Sequence, residues 1–161
     1  MNPSRGSLLG IQSGPLGQST LNLRRLIAWG DHYKVDHPQL DAQHEQIFDI
    51  ALEVSDLWQR RGDLQRLRDV TDKLARVLAA HFEYEEQQFV GTAHARSAEH
   101  CEEHRVMLSE LQVIRERLEA MGPGRVRSEA GFLVLSYVLG LTVGHLSHSD
   151  MDAHPARHAP A

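Results

Sequence analysis

The residues best suited to chemistry are histidines and acids that recur at helical spacing among the 11 histidines of the 161-residue chain. His81 and Glu85 are four residues apart, as are His100 and His104. Each pair therefore projects from one face of its helix, one turn apart. Imidazole nitrogens and carboxylate oxygens arranged in this way are donors for a transition-metal ion. The pattern predicts a metal site assembled from several helices.

The elements that must position these residues are four stretches of helical hydrophobic period, separated by short breakers. The first begins near Pro38 and ends at Arg61-Gly62, the second runs from an Asp63 cap to about Gly91, the third starts near Ser97 and ends at Gly122, and the fourth runs from Ser128 to before Pro155. Short connections predict an all-α fold, an antiparallel up-down-up-down four-helix bundle. Segment 26–35, with Trp29 and Tyr33, is expected to pack across it as an N-terminal arm.

The predicted domain organisation is one bundle between two flexible tails. Residues 1–24 and 153–161 lack hydrophobic period and are rich in small or polar residues, as flexible tails are. The bundle then occupies residues 25–152. Trp58 and Phe132 are expected in its core, whereas Glu86 lies off the apolar stripe and is expected to be solvated.

Polar residues occupy core positions of the predicted helices. Six of them stand where the seam would otherwise carry Leu or Ile: His44, His81, Glu85, His100, His104 and His145. Burying them without a partner would cost several kcal/mol. A metal cluster would offset that cost, and a cluster is therefore expected.

The number of candidate ligands exceeds what one ion can hold. His145 and Asp150 are five residues apart, about 140° around an ideal α-helix, which suits a carboxylate that reaches across to bridge two ions. Five histidines and two carboxylates fit two ions, held by three and two histidines, with both carboxylates and a solvent-derived oxo or hydroxo group as bridges. This donor set suits iron, and also manganese, copper, nickel and zinc.

Composition excludes several classes of protein. A net charge of −5 provides no basic surface for nucleic acid or anionic lipid. No apolar run is expected to span a bilayer, and the N-terminus lacks the apolar core of a secretory signal. Cys101 is the single cysteine, which fits a reducing compartment, and one helical step turns it away from its ligand neighbours. A cytoplasmic protein with no nucleic-acid or membrane partner is expected.

Four segments of the chain resemble the bacterial hemerythrins, the bacteriohemerythrin family. They are IAWGDHYKVDHPQLDAQHEQIF at 27–48, HFEYEE at 81–86, HCEEH at 100–104 and HLSHSD at 145–150. They occur in the family's order and at its spacings, and the resemblance covers roughly residues 25–152.

The resemblance implies a non-haem di-iron protein that binds dioxygen reversibly, for carriage, sensing or delivery. Two iron ions, cycling between Fe²⁺ and Fe³⁺, would share an oxo or hydroxo bridge. The implied roles are one iron on His100, His104 and His145, the O₂-binding iron on His44 and His81, bridges from Glu85 and Asp150, and an oxygen pocket lined by Ile47, Phe82 and Leu146. No protein partner is implied.

Four positions depart from the family pattern. Leu141 and Thr142 stand where the family often has Trp followed by an apolar residue, and Gly144 precedes the ligand His145. This smaller wall would admit water and speed autoxidation. Asp36 stands where Gly is common. An enzyme that reduces peroxide or nitric oxide, and an iron-storage or redox-sensing module, therefore remain alternatives to an oxygen-binding protein.

Overall fold

The computed structural model describes residues 23–90 and 97–149, with side chains to Ser147. Over this part of the chain the structure is helical and contains no strand. Four long helices follow a 3₁₀ turn at Asp31–Tyr33: α1 Pro38–Gln59, α2 Leu64–Phe89, α3 Ser97–Ala120 and α4 Ser128–Leu139. A π-helical segment, Gly140–Ser149, continues α4. The predicted all-α helical bundle is confirmed.

The helix starts follow local sequence signals. α1 begins at a proline, whose missing N–H is not needed in the first turn. Asp63 caps α2, because its side chain accepts hydrogen bonds from the N–H groups of Gln65 and Arg66 at 2.7 and 3.2 Å. Both starts agree with the sequence analysis.

The apolar side chains of the helices form one continuous core. Its fully buried members include Ile47, Val54, Leu67, Leu74, Leu78, Leu111, Leu118 and Leu141. Near the start of α2, the Leu64 N–H donates to the Gly124 carbonyl at 2.8 Å, and Arg68 donates to the Leu118 carbonyl. These bonds fasten one end of the helices, and the predicted ligands lie toward the other.

The segment before α1 packs on that helix through its aromatic rings. The Phe48 ring lies 5.4 Å from the Trp29 ring and 4.5 Å from the Tyr33 ring, between centroids. The Tyr33 hydroxyl donates to the Leu26 carbonyl at 2.7 Å. Asp36 has a φ of 60°, in the left-handed region where Gly is favoured, so a glycine at this position would relieve strain.

The expected burial of Phe132 is wrong. Its side chain is 68% exposed, while Ala130, Val134 and Leu135 of α4 face the core. The cause is Gly131, where an added Cβ would lie 2.0 Å from Cδ1 of Trp58. The glycine lets α4 approach α1 closely on this side, and Phe132 consequently turns outward.

One helical stretch is long and apolar enough to meet the criteria for a membrane span, contrary to expectation. It is Ser128–Ser147, 20 residues, and half of its best window is buried inside the fold. Core helices of bundles pass the same test. The stretch is therefore weak grounds for a membrane segment.

Candidate metal centre

Four predicted ligands from three parts of the bundle converge on one point. They are Glu85 of α2, His100 and His104 of α3, and His145 of the π-helical segment. One ligand atom from each lies within 4.8 Å of the other three. All four side chains are buried, with at most 4% of their surface exposed. Buried imidazoles around a carboxylate, at ligand distances, could hold a metal ion.

The distances around Glu85 fit the size of a transition-metal ion. Its Oε2 lies 3.1 Å from Nε2 of His100 and 3.3 Å from Nε2 of His104. Neighbouring donors of an octahedral ion with bonds of about 2.1 Å are about 3.0 Å apart, and opposite donors are about 4.2 Å apart. The spacing of these three donors is therefore close to that of three ligands of one ion.

His44 and His81 form a second group of buried histidines. Their ring centroids are 4.8 Å apart, and both side chains are fully buried. Nε2 of His81 lies 4.0 Å from Oε2 of Glu85. The Glu85 carboxylate therefore has a neighbour in each histidine group.

Oxygen atoms of neighbouring helices orient three of the histidines. Nδ1 of His104 lies 2.9 Å from Oε1 of Glu86, and Nδ1 of His145 lies 3.2 Å from Oε2 of Glu103. Because an ionised carboxylate only accepts hydrogen bonds, Nδ1 donates in each of these contacts, and Nε2 is then the nitrogen whose lone pair can bind a cation. The expectation that Glu86 is merely solvated is wrong.

A third outer contact has the same form. Nδ1 of His81 lies 3.1 Å from Oε1 of Gln43. Sequence reasoning did not single out Gln43 or Glu103 and gave Glu86 no role at the site, although each directly follows or precedes a predicted ligand. On a helix the residue next to an inward-facing ligand points sideways, toward the adjacent helix, and that adjacency was the available signal.

The predicted pocket-lining residues are all buried beside the candidate ligands or in the adjoining core. Ile47, Phe82 and Leu146 are 0%, 2% and 1% exposed. The Phe82 ring stacks on the His104 ring with centroids 3.8 Å apart and planes 7° apart. It also meets the His145 ring edge-on at 5.4 Å. Phe82 therefore fixes two candidate ligands and keeps water from their faces.

The wall before His145 is open on one side. An added Cβ at Gly140 or Gly144 would meet nothing within 4 Å, and both glycines line a cleft of about 770 Å³ between α3 and α4 that reaches His145. Thr142 is fully buried, and its hydroxyl donates to the Val138 carbonyl at 2.7 Å. Of the departures from the family pattern, Gly144 therefore opens the wall beside His145, whereas Thr142 does not.

Asp150 lies outside the described residues. Its predicted role as a bridge therefore stays a prediction. The described segment before it, Gly140–Ser149, is π-helical.

Cys101 is not one of the clustered donors. Burial raises the pKa of its thiol, and the nearby Glu86 carboxylate raises it further. The thiol is therefore neutral at physiological pH, unlike a metal-binding thiolate.

The family comparison agrees with this donor set. The family model of the hemerythrin HHE cation-binding domain matches residues 36–156. No curated protein sequence matches the chain. Since the matched region spans most of the chain and contains all seven predicted ligands, this chain belongs to the hemerythrin HHE cation-binding family.

Proposed function

We propose that this protein holds two non-haem iron ions between its helices and binds dioxygen reversibly at that centre. The observation that carries the proposal is the buried Glu85 carboxylate, which has close neighbours in the group of three imidazoles and in the group of two. Two groups of nitrogen donors around one carboxylate suit a pair of ions better than a single ion.

The proposed roles follow the family pattern residue by residue. One iron would be held by three histidines and the other by two, with two carboxylates shared: His100, His104 and His145; His44 and His81; Glu85 and Asp150. The contacts of Glu85 with both histidine groups support its role as a bridge, and the role of Asp150 follows from the family resemblance alone.

The protein's own groups would prepare the centre before any ligand arrives. Glu86 and Glu103 hold His104 and His145 in the tautomer whose Nε2 faces inward. Gln43 does the same for His81. With the rings fixed, little side-chain entropy remains to be lost when the ions bind.

The composition of the donor set favours binding over oxygen cleavage. A ferritin-like di-iron site has four Glu and two His, and its larger negative charge supports high-valent iron. When bound, a His-rich pair of iron ions would supply two electrons to dioxygen and could recover them when the dioxygen leaves. The buried side chains of Ile47, Phe82 and Leu146 would exclude water from this reaction.

We propose that the bundle has an up-down-up-down topology. We also propose that the protein is cytoplasmic. Candidate ligands lie near the starts of α1 and α3 and near the ends of α2 and the π-helical segment, and they meet at one end of the molecule. This arrangement supports consecutive helices that run in opposite directions. The aromatic contacts of Trp29 and Tyr33 support the segment before α1 as an N-terminal arm over Phe48.

A second candidate function is reduction of peroxide or nitric oxide. The cleft that reaches His145 past Gly144 favours it, because turnover requires access for substrate and protons. Thr142 does not favour it, because its proton is engaged by the Val138 carbonyl. A reductase consumes an electron donor in every turnover, whereas reversible oxygen binding does not.

Optical titration of the iron-loaded protein separates them. The anaerobically reduced protein is exposed to air and then flushed with argon. An oxygen-binding protein develops a visible band that argon removes, over several cycles, whereas a reductase consumes an added electron donor with peroxide or nitric oxide. A Glu85→Ala variant should lose the band, and a Glu83→Ala variant, changed at an exposed position of the same helix, should keep it. A band that never forms in the wild type would contradict oxygen binding.

A further inference from the structure

The exposed face of α4 and its π-helical continuation carries no charge. Residues 130–147 contain no Asp, Glu, Lys or Arg, although only half of this stretch is buried. Its most exposed positions fall four residues apart, at Phe132, Ser136, Gly140 and Gly144. Solvent-facing helix surfaces normally carry charged side chains. This face is therefore suited to contact with another surface.

The two ends of this face have complementary shapes. At one end the Phe132 ring stands 68% exposed. At the other, Gly140 and Gly144 border the 770 Å³ cleft, whose wall includes Met107 and Leu141. A second hollow, of about 330 Å³, continues along the same two helices beside Val113 of α3, which is 47% exposed. One end thus projects an apolar ring, and the other offers an apolar hollow.

The charges that flank the face are also complementary. The cleft end is bordered by acids of α3: Glu99, Glu102, Glu103 and Glu110. Exposed arginines, Arg125 and Arg127, precede α4 at the end where Phe132 projects. A second copy of the same surface, rotated by 180° so that its ends are exchanged, would match both the shape and the charge of each end.

We propose that a second copy of this chain covers the face, in an antiparallel pair about a two-fold axis near Ser136. Phe132 of each copy would enter the Gly140–Gly144 hollow of the other, and Arg127 would approach the acidic border. The α-helical stretch from Phe132 to the start of the hollow at Gly140 is about 12 Å long at 1.5 Å per residue. The small residues Ser136 and Gly140 allow the two helices to approach closely. Such an interface is isologous, as in most two-fold dimers.

Sedimentation equilibrium of the full, metal-loaded chain tests this pairing. The wild type is expected at twice the mass of one chain. Gly140→Arg should weaken association at least tenfold, and it should not disturb the monomer because an added Cβ meets nothing within 4 Å. Val90→Arg, at an apolar position that is 81% exposed but lies elsewhere, is the control and should leave association unchanged. Circular dichroism checks the fold, and Phe132→Ser replaces the arginine variant if that variant misfolds.

Charge reversal tests the antiparallel arrangement itself. Arg127→Glu and Glu102→Arg should each weaken association, and the double variant should restore it. A wild type that stays monomeric at about 100 µM overturns the proposal. The face would then have another occupant, such as the chain's own terminal residues or a lipid vesicle. A dimer that is indifferent to Gly140→Arg and Phe132→Ser also overturns it, because the interface would then lie elsewhere.

Discussion

Replacement of Glu86 tests whether outer carboxylates prepare the metal centre. Glu86 accepts the His104 Nδ1 proton at 2.9 Å, within the range of charge-assisted hydrogen bonds. Removal of such outer partners costs about 10–100-fold in metal affinity, which is about 1.4–2.7 kcal/mol. Because the Glu86 side chain is 37% exposed and therefore screened by water, we expect Glu86→Leu to fall at the lower end, about tenfold.

The assay is anaerobic competition for Fe²⁺ between the metal-free protein and a chromophoric chelator. Glu86→Gln keeps an acceptor oxygen without its charge and should lose less affinity than Glu86→Leu. Glu83→Leu, at an exposed position on the same helix, is the matched control and should bind as the wild type does. Equal affinities for Glu86→Leu and Glu83→Leu would refute the outer-ligand role of Glu86.

Three further predictions concern packing and protonation. Gly131→Ala should destabilise the fold by about 1–3 kcal/mol in denaturant unfolding, because its Cβ would overlap the Trp58 ring; an unchanged midpoint would contradict the packing. Burial raises the pKa of Tyr137 above its usual 10, so its contribution to stability is complete below about pH 10 and is lost as pH rises beyond it. Tyr137→Phe should cost about 1 kcal/mol at neutral pH, from the lost bond to the Met107 carbonyl, and should lose less stability than the wild type between pH 10 and 11; parallel pH profiles would argue against this. Cys101, whose pKa is raised by burial, should react with iodoacetamide at pH 8 more slowly than free cysteine; an equal rate would contradict its burial.

The helices and most of the ligand set could be predicted because each depends on local signals. Pro38 and Asp63 mark helix starts through backbone geometry and capping, which act over a few residues. His81, Glu85 and the α3 histidines were identifiable because buried polar residues interrupt an apolar stripe. Helix-start residues and interruptions of an apolar stripe can each be recognised within a single segment of the sequence.

The features that sequence reasoning missed depend on neighbouring helices. Phe132 fits an apolar stripe, yet the contact of Gly131 with Trp58 sets the rotation of α4 and turns Phe132 outward. Glu86 and Glu103 find their histidines on another helix or segment, so no spacing within one helix reveals them. The π-helical backbone after Gly140 likewise changes which residues share a face with His145.

Iron stoichiometry tests the central claim most directly. Reconstitution under anaerobic conditions, removal of loose metal and elemental analysis should give two irons per chain in the wild type. Mössbauer spectra of the oxidised protein should show one magnetically coupled pair. Replacement of Glu85, which has a neighbour in each histidine group, should abolish the coupling. One iron or fewer per chain, or two irons without coupling, would contradict a shared centre.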